Sequence, residues 1–200
     1  MTLDFDLSTW GISLTSLIIV LYFLWRKNRT LPYLLCFSIF WIYLMFVLKL
    51  TIFPIPLGNG NEIIKVDIPF LSRMNFVPFY FSSYTREIFF NNILNIFLTI
   101  PFGFGINFVK DIKKQNLLWS AILVGLIIET LQFIISLSIG FPYRTIDIND
   151  IIMNALGVIV GFCIFKFFGL LYIKLTKKYD IQHAGLSAYI ENIIKRQKSN

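Results

Sequence analysis

Residues 117–139 read LLWSAILVGLIIETLQFIISLSI, a run in which a single position, Glu129, carries a charge. At about 1.5 Å of rise per residue this run crosses a hydrocarbon core of about 30 Å as one helix. Lipid admits a carboxyl group there only when it is paired or functional. The rest of the chain has the same character: of its 200 residues 56% are hydrophobic, 18% aromatic and only 14% charged. That is too apolar for a soluble domain of this size. Runs of spanning length occur about five times, at roughly Trp10 to Trp25, Pro32 to Phe53, Phe89 to Val109, Leu117 to Ile139 and Ile151 to Ile173. The expected fold is an all-α integral membrane helical bundle of about five transmembrane helices. Its expected parts are a short extracellular N-terminus at 1–9, a transmembrane domain at 10–174 and a basic cytoplasmic tail at 175–200.

Charge sets the orientation. The first span follows Asp4 and Asp6, precedes Arg26, Lys27 and Arg29, and lacks a small-residue cleavage site after it, so it reads as a retained signal-anchor. Trp10 and Trp25 bracket it as interfacial anchors. The first loop, the third loop (Lys110, Lys113, Lys114) and the tail (Lys174, Lys177, Lys178, Lys195, Arg196, Lys198) place twelve basic residues on one side. The other side has Lys65, Arg73, Arg86 and Arg144. Positive loops stay in the cytoplasm, so the N-terminus is expected outside and the C-terminus inside. The net charge of +7 is therefore a signal of topology and of contact with anionic lipid, not of nucleic-acid binding. In the tail, Leu186, Ile190, Ile193 and Ile194 fall near helical spacing. That pattern suits a short amphipathic helix on the inner leaflet, and equally a frayed solvated tail.

Several chemistries lack their parts. Cys36 and Cys163 lie inside apolar spans and read as packed thiols, and the single histidine, His183, reads as a solvated tail residue. Ser-His-Asp hydrolysis, Cys-His catalysis and a histidine-rich zinc site are thereby excluded. No P-loop, dinucleotide glycine pattern or internal repeat is present, and nothing in the sequence calls for a cofactor or a metal.

What remains is polar and periodic. Gly125, Glu129, Gln132 and Ser136 step by four, three and four residues along one face of the fourth span. Asp147, Asp150, Asn154, Gly157 and Gly161 do the same along the fifth, and Asn91, Asn92, Asn95, Thr99 and Gly103 form a broader stripe on the third, interrupted by Pro101. Such small and polar faces are the seams of a tightly packed membrane bundle. With the expected orientation they meet in the outer half of the bilayer, Glu129 about 15 Å from the outer end of its span. Lys49, Thr51, Arg73, Asn75 and Arg86 lie on that side too, and segments 68–70 and 75–79 suit a re-entrant or interfacial stretch. The expectation is an outward-opening polar cavity whose candidate binding residues are Lys49, Asn75, Asn92, Asn95, Glu129, Gln132, Arg144, Asp147, Asp150 and Asn154.

The motifs KLTIFP (49–54), NFVPF (75–79), NILNIFLTIPFGF (92–104), ETLQ (129–132) and RTIDINDIIMNALG (144–157) follow one another in the order of VanZ-like membrane proteins, which the chain resembles from Lys49 to Phe162. Pro142 and Tyr143 precede Arg144 where that pattern would place a glycine. The family's namesake is associated with teicoplanin resistance. The resemblance implies a bacterial cell-envelope factor without supplying a reaction.

Each residue has a plainer reading. Glu129 suits a buried structural carboxyl bonded to an asparagine or arginine; Asp147 and Asp150 suit the first turn of a helix, where negative charge complements the dipole. Arg144 suits an interfacial anchor, a local ion pair with the aspartates or a phosphate clamp, and Asn92 and Asn95 suit interhelical bonding. Two functional classes follow. One is an envelope factor that binds a lipid-linked cell-wall or surface precursor. The other is a membrane-embedded enzyme using these carboxylates as acid or base, with or without a divalent cation. Binding ranks first because no nucleophile-base pair is evident. A transporter ranks third, the chain being short and free of an inverted repeat.

Overall fold

The computed structural model describes residues 2–57, 74–79 and 85–199. Segment 68–70, Lys65 and Arg73 lie outside the described residues. The described chain is helical: α1 (Leu7–Arg26), α2 (Leu31–Thr51), α3 (Arg86–Gly105, extended by a 3-10 turn Ile106–Phe108), α4 (Leu117–Ile139), α5 (Ile148–Lys178) and α6 (Gly185–Ser199). The first five are long and apolar enough to cross a membrane, with window mean hydropathies of 1.4 to 2.3. Each begins or ends where local chemistry dictates. Asp6 caps α1 by accepting from Thr9 N at 3.0 Å, Pro32 opens α2, and Thr85 accepts from Ile88 N at the start of α3. Gly140, at φ +81°, supplies the left-handed residue that closes α4.

Burial increases along the chain. Only Ser13 and Leu17 of α1 are buried, whereas α5 buries nine residues and is the axis of the bundle. The α3–α5 seam is made of residues without side-chain bulk. A Cβ on Gly161 would sit 2.0 Å from Ile100 O, one on Gly157 2.2 Å from Thr99 Oγ1, and one on Gly103 2.0 Å from Val158 O. Thr99 Oγ1 donates across this seam to Asn154 O at 2.7 Å. On the other flank of α5, Gly125 of α4 lies against Ile151, its added Cβ 2.8 Å from the carbonyl oxygen. The small faces on α3, α4 and α5 thus face one another, as close helix approach in lipid requires.

Two short pairings tie the connections to one end of the bundle. Strand β1 (Thr2–Leu3) pairs antiparallel with β2 (Ile55–Pro56), and β3 (Met74–Asn75) pairs parallel with β4 (Ile146–Asp147). At the other end α6 folds back onto the bundle. Its Ile193 and Ile194 bury against Phe165 of α5, and Ile194 fills the space above Gly169. Tyr189 donates to Phe108 O, Tyr172 to Ser187 O, and Lys166 to Gln197 O. The tail is therefore neither frayed nor laid flat with its apolar face on a leaflet. That face meets a matching apolar surface within the chain.

Candidate functional site

Helix α5 starts three residues earlier than hydrophobicity indicates, and the early start shapes the site. Asp147 is its N-cap, with Oδ1 accepting from Asn149 N at 2.8 Å. The same oxygen accepts from Asn75 Nδ2 at 2.9 Å, which joins the loop before α3 to the head of α5. Asp147 N in turn donates to Glu129 Oε2 at 3.3 Å, and so binds the head of α5 to the middle of α4. Glu129 is 4% exposed. It lies in electrostatic reach of both Asp147 and Asp150, and Asn95 of α3 interacts with the Asp150 carboxyl. Three carboxyl groups from two helices, with amides from two further segments, thus gather at one end of the bundle.

Among the described residues no lysine, arginine or histidine nitrogen lies within 4.0 Å of these three carboxyl groups. Arg144 is turned elsewhere: Nη2 donates to Phe53 O at 3.2 Å, and the guanidinium stacks over Tyr143 with 5.9 Å to the ring centroid. Tyr143 follows the same course, its hydroxyl donating to Ile52 O at 3.2 Å while burial raises its pKa above the ordinary tyrosine value. Together they hold the α4–α5 connection against the end of α2, and among the described residues Arg144 forms no ion pair with the aspartates.

Gln132, one turn beyond Glu129, is also buried and donates from Nε2 to Thr51 O at 3.0 Å. Asn92 and Asn154 are buried on α3 and α5, Asn154 at 1% exposure. Ser136 Oγ and Asn154 Oδ1 are buried side-chain atoms with no hydrogen-bond partner among the described residues. Such orphaned groups in an otherwise satisfied interior call for an explanation. Of the ten candidate residues Lys49 is the exposed one, in the last turn of α2.

Three contributors escape sequence reasoning. Asn149 is 4% exposed and accepts from Phe79 N at 2.8 Å, fixing the NFVPF turn, whose Phe76, Val77 and Phe79 are exposed. It lies two residues from Asp147, off the three-four stripe, and its one signal is the Asp-x-Asn pattern at a helix start. The carbonyls of Thr51 and Phe53 are backbone acceptors that any side chain would supply. Among the described residues no three His, Cys, Asp or Glu side chains come together in a metal-holding arrangement. A family model described as VanZ/LLP1 matches residues 40–169, which contain the α2 end, α3, α4 and all but the last turns of α5. No match is found among curated proteins or among solved structures.

Proposed function

We propose a function from the premise that this chain belongs to the VanZ/LLP1 family and is a membrane protein crossing the bilayer several times: its acidic end is an outward-facing site for a lipid-linked or surface-exposed precursor of the cell envelope. The observation that carries this reading is the convergence of Glu129, Asp147 and Asp150 with no cation paired to them among the described residues. A purely structural arrangement in lipid would be expected to supply an arginine or lysine partner. Arg144 is near in sequence and is directed to a backbone carbonyl instead. Carboxyl and amide oxygens in this setting accept hydrogen bonds. They suit the hydroxyl and amine groups of sugars and peptide stems on envelope precursors.

Orientation supports the same reading. Arg26, Lys27, Arg29, Lys110, Lys113, Lys177 and Lys178 flank the opposite ends of the spans, and the tendency of positive loops to stay inside supports an external acidic end and a cytoplasmic C-terminus. The site and the family together support a bacterial cell-surface role, with altered susceptibility to glycopeptides such as teicoplanin. In a strain deleted for the gene, wild type should restore glycopeptide tolerance, and Glu129→Gln or Asp150→Asn should lose it at equal membrane abundance. Full restoration by both variants would leave the site structural.

The electrostatic coupling of Glu129 to Asp150 also favours a second reading, in which one carboxyl acts as acid and the other as base on the precursor. Turnover of a lipid-linked precursor by the purified protein, abolished by either substitution, would establish it; binding without turnover would restrict the protein to recognition.

A further inference from the structure

The opposite end of the bundle contains a cavity of about 560 Å³ that the proposed function does not use. Its walls are the α1–α2 connection, the end of α3 and α6. Four basic side chains line it, Arg29, Lys110, Lys195 and Arg196; Lys195 pairs with Glu191 at 2.9 Å, and the one carboxylate in the wall, Asp111, accepts from Gln197 Nε2 at 2.6 Å. Tyr33 holds the Arg29 guanidinium 4.9 Å from its ring centroid. Thr30, also in the wall, gives α2 no side-chain cap, so the positive end of that helix faces the cavity unassisted. Burial pushes the Tyr189 hydroxyl up to about 12, with Arg29 and Arg196 both close enough to oppose that shift. The two guanidinium groups therefore act on the same point. A volume in the range of small-molecule sites, about 300–1,000 Å³, leaves room for more than one phosphate.

Phe108 belongs to this cavity and to a second one of about 400 Å³. The second is a groove between α2, α3 and α5 lined by apolar and aromatic residues, among them Ile39, Phe40, Ile100, Phe104 and Ile164. A basic chamber at the ends of the spans thus adjoins an apolar groove running along them. That combination matches one chemistry, an anionic headgroup carrying an acyl chain. We infer that this end of the bundle holds one anionic phospholipid, its phosphate among Arg29, Lys110 and Arg196 and an acyl chain in the groove beyond Phe108. Neither half alone identifies the occupant; their continuity at Phe108 does. Since α6 supplies two of the four cations and is docked by Tyr189 and Gln197, the bound lipid also braces α6 against the bundle.

The test is native mass spectrometry of the full chain in neutral detergent, titrated with dioleoyl phosphatidylglycerol, dioleoyl phosphatidylcholine or water-soluble glycerol 3-phosphate. One phosphatidylglycerol should bind per chain, tighter than phosphatidylcholine. At about five-fold per basic residue, an Arg29→Gln/Arg196→Gln double variant should bind it roughly 25-fold more weakly. The Arg29→Lys/Arg196→Lys variant should retain most of the affinity, and Ile39→Trp, which fills the groove from its lipid-exposed side, should weaken the lipid but not glycerol 3-phosphate. Equal affinity for the two lipids would overturn the proposal. So would undiminished phosphatidylglycerol binding by the glutamine double variant, or glycerol 3-phosphate binding as tightly as the lipid with Ile39→Trp silent. Unchanged elution and melting of each variant separate loss of binding from loss of fold.

Discussion

The two ends of the bundle treat polar groups in opposite ways. At the acidic end most candidate side chains take partners from the chain itself: Gln132 on Thr51 O, Arg144 on Phe53 O, Asn75 on Asp147, and Glu129 on Asp147 N. At the basic end four cations stand around an open volume with one carboxylate among them. The first is knit by bonds between segments up to 91 residues apart, and among the described residues it leaves Ser136 Oγ and Asn154 Oδ1 without a hydrogen-bond partner and three carboxyl groups without a paired cation. The second is built from helix ends and connections around an open volume, with Lys195 paired to Glu191 at 2.9 Å. The acidic end therefore fixes its polar side chains by bonds within the chain and still presents carboxyl oxygens, whereas the basic end frames an open volume with cations.

Both ends depend on the α3–α5 seam, so breaking that seam should abolish the contrast altogether. Gly161→Leu brings side-chain atoms into Ile100 O, where a Cβ alone would lie 2.0 Å away. The expected cost is at least about 3 kcal/mol, the upper part of the overpacking range, read as a collapse of thermal stability in detergent. Near-wild-type melting would mean that the helices separate freely.

Next in size is a substitution confined to the acidic end. Asp147→Ala removes the cap of α5 and the acceptor for Asn75. It should cost about 1–2 kcal/mol while leaving phosphatidylglycerol binding at the basic end unchanged. Weakening of both together would show that the ends are one cooperative unit.

Smaller still is Tyr189→Phe, which deletes the bond to Phe108 O. A loss of about 1 kcal/mol should speed proteolysis between Tyr179 and Gly185 about five-fold, with glycopeptide tolerance unaffected.

The smallest effect belongs to Asp6, whose hydrogen bonds from Ser8 and Thr9 lower its pKa from 3.8 to about 2. Because the folded pKa is depressed, its support of α1 is complete above about pH 4 and disappears as pH falls through about 2. Hydrogen exchange in the first turn of α1 should rise over that window in wild type and stay flat in Asp6→Asn.

The same contrast explains what could be read from the sequence. Five spans were legible because an apolar run of about 20 residues has few other fates. The seam was legible because Gly157, Gly161, Thr99 and Gly103 recur at helical spacing. The stripes on α4 and α5 also indicated that Glu129, Gln132 and Asn154 face the interior of the bundle, where they are buried. Where Arg144 points was not legible, since its acceptor is a backbone carbonyl and backbone acceptors leave no mark on residue identity. Nor was the docking of α6: an apolar face made of Ile190, Ile193 and Ile194 serves a leaflet or a protein surface equally well, and the deciding partners, Phe165 and Gly169, sit on another helix. The basic cavity was invisible for a related reason, as its cations come from three separated stretches whose charges had already been explained by topology.

The account stands most directly on which end faces outward. Thr145 and Gln115 are exposed at opposite ends of the bundle, and in a background with Cys36 and Cys163 replaced by serine each can be changed to cysteine singly. Treated with a membrane-impermeant maleimide on intact cells, Thr145→Cys should be labelled and Gln115→Cys should react only after the membrane is opened. Labelling of Gln115→Cys alone on intact cells would put the acidic site in the cytoplasm and contradict the account.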